Sequence, residues 1–197
     1  MTSKIDYPKL FLIPALITGL LLLIPLTAKL LTDEMNWSLF DFAVMGILIF
    51  STVFIYKLIT LKKDNLVYKY AAALALISCF LLLWVNLAVG ILGSEDNPAN
   101  LLYGIVPLVG LLGSIVVRFK PVGMAKTLFI MCLVQLTVPV IAVLIWKTEA
   151  VTFDEFMISW HDKGLLGVVG VNLFFASVFA GAGLLFKYAS TKQKKED

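Results

Sequence analysis

Six long apolar runs, at about residues 10–31, 38–58, 68–92, 99–118, 124–146 and 165–188, leave this chain little choice of solvent. Crossing roughly 30 Å of hydrocarbon as a helix takes about 20 predominantly apolar residues, and each run approaches or exceeds that length. The runs are continuous and lack the two-residue alternation of a barrel strand, so each reads as a helix. A helix is also the form that satisfies its own backbone groups where no water can. Of 197 residues, 60% are hydrophobic and 15% charged, against about a quarter charged in soluble domains. The expected fold is all-α: a polytopic membrane protein with a single six-helix transmembrane bundle over residues 1–197. Connections are short, so no soluble domain is expected. Lys4 and Lys9 precede the first run, but its apolar stretch exceeds the 7–15 residues of a signal-peptide core, and a retained span is expected.

Charge sets the expected orientation. Six spans would put 13 of the 16 basic residues on one side, among them Lys57, Lys62, Lys63, Lys69, Arg118, Lys120, Lys126 and Lys187; Lys29, Lys147 and Lys163 fall on the other. Basic residues stay with the cytoplasmic loops, so both termini are expected in the cytoplasm. The rings of Tyr7, Tyr56, Tyr68, Tyr70 and Tyr188 would lie near that interface, and those of Trp37, Tyr103, Trp146 and Trp160 near the outer one, as interfacial aromatic side chains do.

Several chemistries are excluded by what is missing. A net charge of +3 spread between apolar runs offers no concentrated basic face for nucleic acid. One histidine, His161, rules out HExxH zinc chemistry and paired-histidine haem ligation within one chain. No G-x-S-x-G elbow, Walker loop or dinucleotide fingerprint occurs. Cys79 and Cys132 fall inside apolar runs and read as buried thiols that pack as small hydrophobes. No metal or cofactor is expected. A membrane enzyme using Asp41, Glu95 and Asp96 is the weakest functional reading.

Most polar residues near the helix ends have local structural roles. In "ILGSEDNPANLLYGIVP", Gly93 reads as the stop of the third span. Asn97 followed by Pro98 reads as an N-cap with proline in the first turn. Glu95 and Asp96 would lie beside the positive end of the fourth helix. "SLFD" at Ser38–Asp41 and "TFDE" at Thr152–Glu155 are capping-box patterns. After the second, Phe153, Phe156, Met157 and Trp160 recur at helical spacing, which predicts a short interfacial helix before the sixth span.

A few polar residues lie deeper. Asn86, Gln135 and Asn172 fall within spans, and Asp41 about one turn into another. Polar groups in hydrocarbon are costly and face a bundle interior or a wet cavity. The bland account is interhelical hydrogen bonding at about 0.6 kcal/mol per bond. The sharper one is an outward-facing polar and acidic pocket lined by Asp41, Asn86, Gln135 and Asn172, with Glu95 and Asp96 at its mouth. Gly164, Gly167 and Gly170 recur every third residue, a small-residue face for intramolecular packing, a second copy or a partner membrane protein. Prolines 14, 25, 107 and 139 should kink or break their helices.

The stretch "WVNLAVGILGSEDNPANLLYGIVPLVGLLGSIVVRFKPVGMAKTLF", with the earlier "NWSLFDFAVMGILIF", resembles a family of uncharacterised small bacterial integral membrane proteins. A "GSEDNPANLMY"-like hairpin and an aromatic-Ser-x-x-Asp-Phe helix opening recur in that family. The likeness covers about Trp37 to Met131. It implies a multi-pass protein of the bacterial cytoplasmic membrane and assigns no chemistry. Two functions stay open: a small transporter or channel-like protein, or a non-enzymatic accessory or assembly subunit of a membrane complex. Contact with the lipid bilayer is common to both.

Overall fold

The computed structural model describes residues 7–32, 35–61, 63–92, 96–146 and 164–196. Among the described residues there are no strands, and six helical stretches are long and apolar enough to cross a membrane. They are α1 (Tyr7–Leu31), α2 (Leu39–Thr60), α3 (Leu66–Val89), a 3₁₀ segment (Pro98–Gly104) continuing into α4 (Ile105–Val116), α5 (Pro121–Trp146) and α6 (Gly164–Glu196). The expected interfacial helix and His161 lie outside the described residues, as do Gly93 and Glu95.

Side-chain placement favours lipid as the surrounding solvent. In no span is more than 39% of the apolar window covered by protein. On α4, Leu108, Leu111, Leu112, Ile115 and Val116 are all exposed. A soluble monomer rarely exposes contiguous apolar patches beyond a few hundred Å². Much of what is buried is small instead: Ala71, Ala72, Ala75 and Ser78 on α3, and Ala176, Ala182 and Ala189 on α6. Hydrocarbon is as apolar as leucine, so helices associate in it by close backbone approach. The chain is a multi-pass membrane protein.

The described chain falls into two compact units, residues 1–64 and 65–197. In the first, α1 and α2 pair. Gly46 lets them approach: a Cβ there would stand 3.4 Å from Leu22 Cδ1. Phe11 and Phe54 rings meet at 5.0 Å, with Phe50 stacked on Phe54 at 5.7 Å.

The second unit is built on α6, which packs along both α5 and α3. The buried stripe of α5 is Met124, Leu128, Met131, Gln135, Val138 and Ala142, and that of α6 is Asn172, Phe175, Phe179, Ala182, Phe186 and Ala189. Both step by threes and fours, the spacing of a coiled-coil seam. Gly183 approaches the Ala125 carbonyl closely while Gln135 bonds Asn172, the register of an antiparallel pair. On α4, Gly110 and Gly113 face α5: a Cβ on Gly113 would sit 2.6 Å from Thr127 Cγ2, and one on Gly110 2.7 Å from Met131 Sδ.

Three boundaries differ from expectation. α3 stops at Val89, not near Leu92, because Gly90 takes φ 65° and donates its N–H to the Asn86 carbonyl; glycine enters that region at no steric cost. The fourth span is not one α-helix: residues 98–104 wind as 3₁₀ and α4 begins at Ile105, which puts Pro107 in the first turn, where a missing N–H leaves no intrahelical bond unmade. α6 runs on to Glu196, because Lys, Gln and Glu are good helix formers and cations suit a helix C-terminus. At 1.5 Å per residue it is about 50 Å long, more than hydrocarbon needs. Against expectation, α1 runs through Pro14 and Pro25, and α5 through Pro139, without a break.

The turn from α4 to α5 is strained. Phe119 N–H donates to the Ser114 carbonyl and Arg118 N–H to that of Ile115, the paired bonds of a Schellman cap. The left-handed residue, ordinarily glycine, is Arg118 (φ 53°), and Phe119 follows at φ 55°. A side chain in that region costs roughly 1–2 kcal/mol. The Tyr68 hydroxyl donates to the Phe119 carbonyl at 2.9 Å and holds the turn against the start of α3.

Candidate functional site

The deepest polar feature joins three elements of the second unit. Gln135, about 21 Å along α5 from Pro121 at 1.5 Å per residue, is fully buried. Its Nε2 donates to Asn172 Oδ1 of α6 at 2.9 Å. Asn172 is 2% exposed; its Nδ2 donates both to the Tyr103 hydroxyl and, one turn back, to the Val168 carbonyl, each at 2.8 Å. Tyr103 is completely covered. It accepts from Asn172, which leaves its own O–H hydrogen to donate elsewhere.

Why these side chains sit there follows from the local windings. Gln135 and Asn172 occupy the seam positions of α5 and α6, so helical period alone turns both inward. Tyr103 belongs to the 3₁₀ segment, where residues three apart eclipse. It therefore shares a face with Asn100, also buried.

Asn100 anchors a second cluster. Its Oδ1 accepts the N–H groups of Ile91 and Leu92 at 3.0 and 2.8 Å, and its carbonyl accepts Asn86 Nδ2 at 2.9 Å. Asn97 caps the segment through Ala99 N–H and donates to the Leu92 carbonyl. These three asparagines satisfy the backbone of a turn that would otherwise leave orphaned groups at the edge of the hydrocarbon.

Two side-chain oxygens here have no partner, Gln135 Oε1 and Asn86 Oδ1. Leaving a buried acceptor unsatisfied costs about 1–3 kcal/mol. Both are carbonyl oxygens, so what would relieve them is a donor or a cation, never another acceptor.

Of the residues expected to line a pocket, the structure brings Gln135 and Asn172 into direct contact, and holds Asn86 to the same 3₁₀ segment that carries Tyr103. Asp41 belongs to the first unit and completes a capping box with Ser38: its carboxylate accepts Ser38 N–H at 2.7 Å and Oγ–H at 2.8 Å, and Ser38 Oγ accepts Asp41 N–H. Asp96 is exposed in the turn before Pro98. Glu95 lies outside the described residues. Cys79 and Cys132 are half-buried, not buried as expected, because each lies beside the packed seam of its helix rather than on it. Among the described residues, no three His, Cys, Asp or Glu side chains come together as a metal site would need.

The sequence offers Tyr103 as an aromatic ring near the outer interface; it does not show that the side chain is fully buried and bonded to Asn172. A partial signal was present in its three-residue spacing from Asn100, which puts the two on one face of a helix and eclipses them in a 3₁₀ winding. Asn100 gave no comparable signal, because its role depends on where α3 ends. No family model, curated protein or solved structure matches the chain.

Proposed function

We propose that this chain is a small multi-pass protein of the bacterial cytoplasmic membrane, both termini inside, that carries or conducts a small hydrogen-bond-donating solute through an outward-facing polar pocket. The proposal includes kinship with the bacterial family whose "GSEDNPANLMY"-like hairpin it resembles. The observation that carries the functional reading is the unpartnered Oε1 of Gln135, fully buried within the Tyr103–Asn172–Gln135 chain. Polar groups at hydrocarbon depth are costly and often line solute pathways, and a buried acceptor without a partner is one that a donor could relieve. Asn86 Oδ1 supplies a second open acceptor near the hairpin, and Asp96, with Glu95, would add negative potential at the entrance.

The test is thermal unfolding of the full chain in detergent with ammonium, methylammonium, sodium or potassium chloride as probes. Ammonium-type donors should raise the midpoint through preferential binding to the folded state, and Gln135→Leu should abolish that rise. If no probe shifts the midpoint and Gln135→Leu only stabilises the protein, the pocket reading falls.

A second reading, as an accessory or assembly subunit, is favoured by the start of α6. Gly167 and Gly170 are exposed, and a Cβ built on either meets nothing within 4 Å. With Gly164 they would seat a helix of a second copy or of a partner membrane protein.

A further inference from the structure

We propose that the end of the second unit opposite the hairpin is a binding site for the phosphate of an anionic lipid headgroup, organised around Arg118. Three contacts gather separate segments there. Tyr68 of α3 donates to the Phe119 carbonyl in the α4–α5 turn, its ring meets Phe186 of α6 edge-on at 5.0 Å, and Asn65 Nδ2 donates to the Ala189 carbonyl. Cations flank the residues of the first two contacts: Lys69 beside Tyr68, Arg118 and Lys120 on either side of Phe119, and Lys187 beside Phe186. Lys126 lies less than two turns into α5. Lys69 is half-buried and the other four are exposed. Among the described side chains of residues 65–196 the one acid is Asp96, at the hairpin end; Asp64, just before the α3 cap, is the nearest in sequence.

Retention of cations on one side accounts for positive charge anywhere near this end. It does not account for an arginine at the left-handed position of a Schellman cap, where glycine is the unstrained choice. An outlier kept against strain points to a role for its side chain. The backbone N–H groups of Val117, Arg118, Phe119 and Lys120 are all donated within the turn, so an anion here is held by side chains. Arginine grips phosphate bidentately. Because the spans end at this level, the phosphate at hand is a lipid's, and basic pockets between membrane helices recognise such headgroups.

The experiment follows thermal unfolding of the full chain in dodecyl maltoside during titration with dioleoyl phosphatidylglycerol, dioleoyl phosphatidylcholine or inorganic phosphate. Phosphatidylglycerol should stabilise the protein saturably, and the other two should not. Arg118→Gly should weaken that response about fivefold, the share of one cation near an anionic surface, while the lipid-free midpoint holds or rises as strain is relieved. Lys120→Gln, which leaves the cap intact, should weaken it similarly. Equal response to both lipids, an equal response to inorganic phosphate, or an unchanged phosphatidylglycerol response in both variants overturns the proposal.

Discussion

Asn100 shows how much one amide can hold. Its side-chain oxygen accepts two backbone N–H groups, those of Ile91 and Leu92, at the point where α3 has ended and no helix can satisfy them. Asn100→Ala strands both donors in a largely apolar environment and should destabilise the protein by about 1–3 kcal/mol. Asn97→Ala removes the cap bond from Ala99 N–H and the bond to the Leu92 carbonyl, but at a half-exposed position where water can replace them, and should lose about 1 kcal/mol. Unfolding in detergent, followed by circular dichroism, should rank the two in that order; equal losses would mean that the double acceptor carries no special weight. Gln135 and Asn172 make a sharper pair. Asn172→Leu leaves Gln135 Nε2 without its acceptor and takes the donor from Tyr103, so it should destabilise. Gln135→Leu removes an oxygen that already lacks a partner but leaves Asn172 Oδ1 without its donor. It should therefore destabilise by less than Asn172→Leu, which breaks the bond to Tyr103 as well. A loss as large as that of Asn172→Leu would contradict that order.

At the scale of elements, tight contact rests on a few glycines, and their neighbours differ in compliance. A methyl on Gly113 would enter the space of Thr127, which is buried and β-branched and therefore stiff at χ1 in a helix. A methyl on Gly110 would meet Met131, an unbranched chain that can swing aside. Gly113→Ala should cost about 1–3 kcal/mol from overpacking, whereas Gly110→Ala should nearly cancel against the roughly 1 kcal/mol gained in helix propensity. Gly170→Ala, with open space around it, should be neutral or stabilising in the isolated chain. Thr127→Ala should restore part of the Gly113→Ala loss, and a double-mutant cycle on thermal midpoints would measure that coupling; strict additivity would contradict the contact. The elements themselves were largely legible from the sequence, because lipid imposes a length and an apolar composition that no other solvent demands. The caps Ser38–Asp41 and Asn97–Pro98 were legible too, being local. Gly90 was missed in favour of Gly93, and the 3₁₀ segment was read as helix. Both depend on which carbonyl a residue meets one turn away, and apolar periodicity carries no record of that.

For the whole molecule, the partners of each inward polar residue were the least legible part. Gln135 and Asn172 were recognisable as inward, but period fixes only the face, not the facing helix; that Asn172 would meet Gln135 and Tyr103 follows from the antiparallel register of α5 and α6. Orientation in the membrane is a separate question, on which the sequence speaks through charge alone. Thirteen of 16 basic residues fall on one side if the six spans alternate. At the translocation step each lysine or arginine left on the far side is unfavourable, so the inverted orientation would carry 13 across instead of three. Single cysteines supply the measurement, in a background where Cys79 and Cys132 are replaced by alanine. Asp96→Cys, exposed at the hairpin, should react with a membrane-impermeant maleimide in intact cells. Lys120→Cys, exposed at the opposite end of α4, should react only after permeabilisation. The reverse pattern would invert the orientation and put the proposed pocket at Gln135, with Asp96 at its mouth, on the cytoplasmic side. Labelling of both from outside would mean that α4 does not cross, and the even count of spans on which the charge argument stands would then fail.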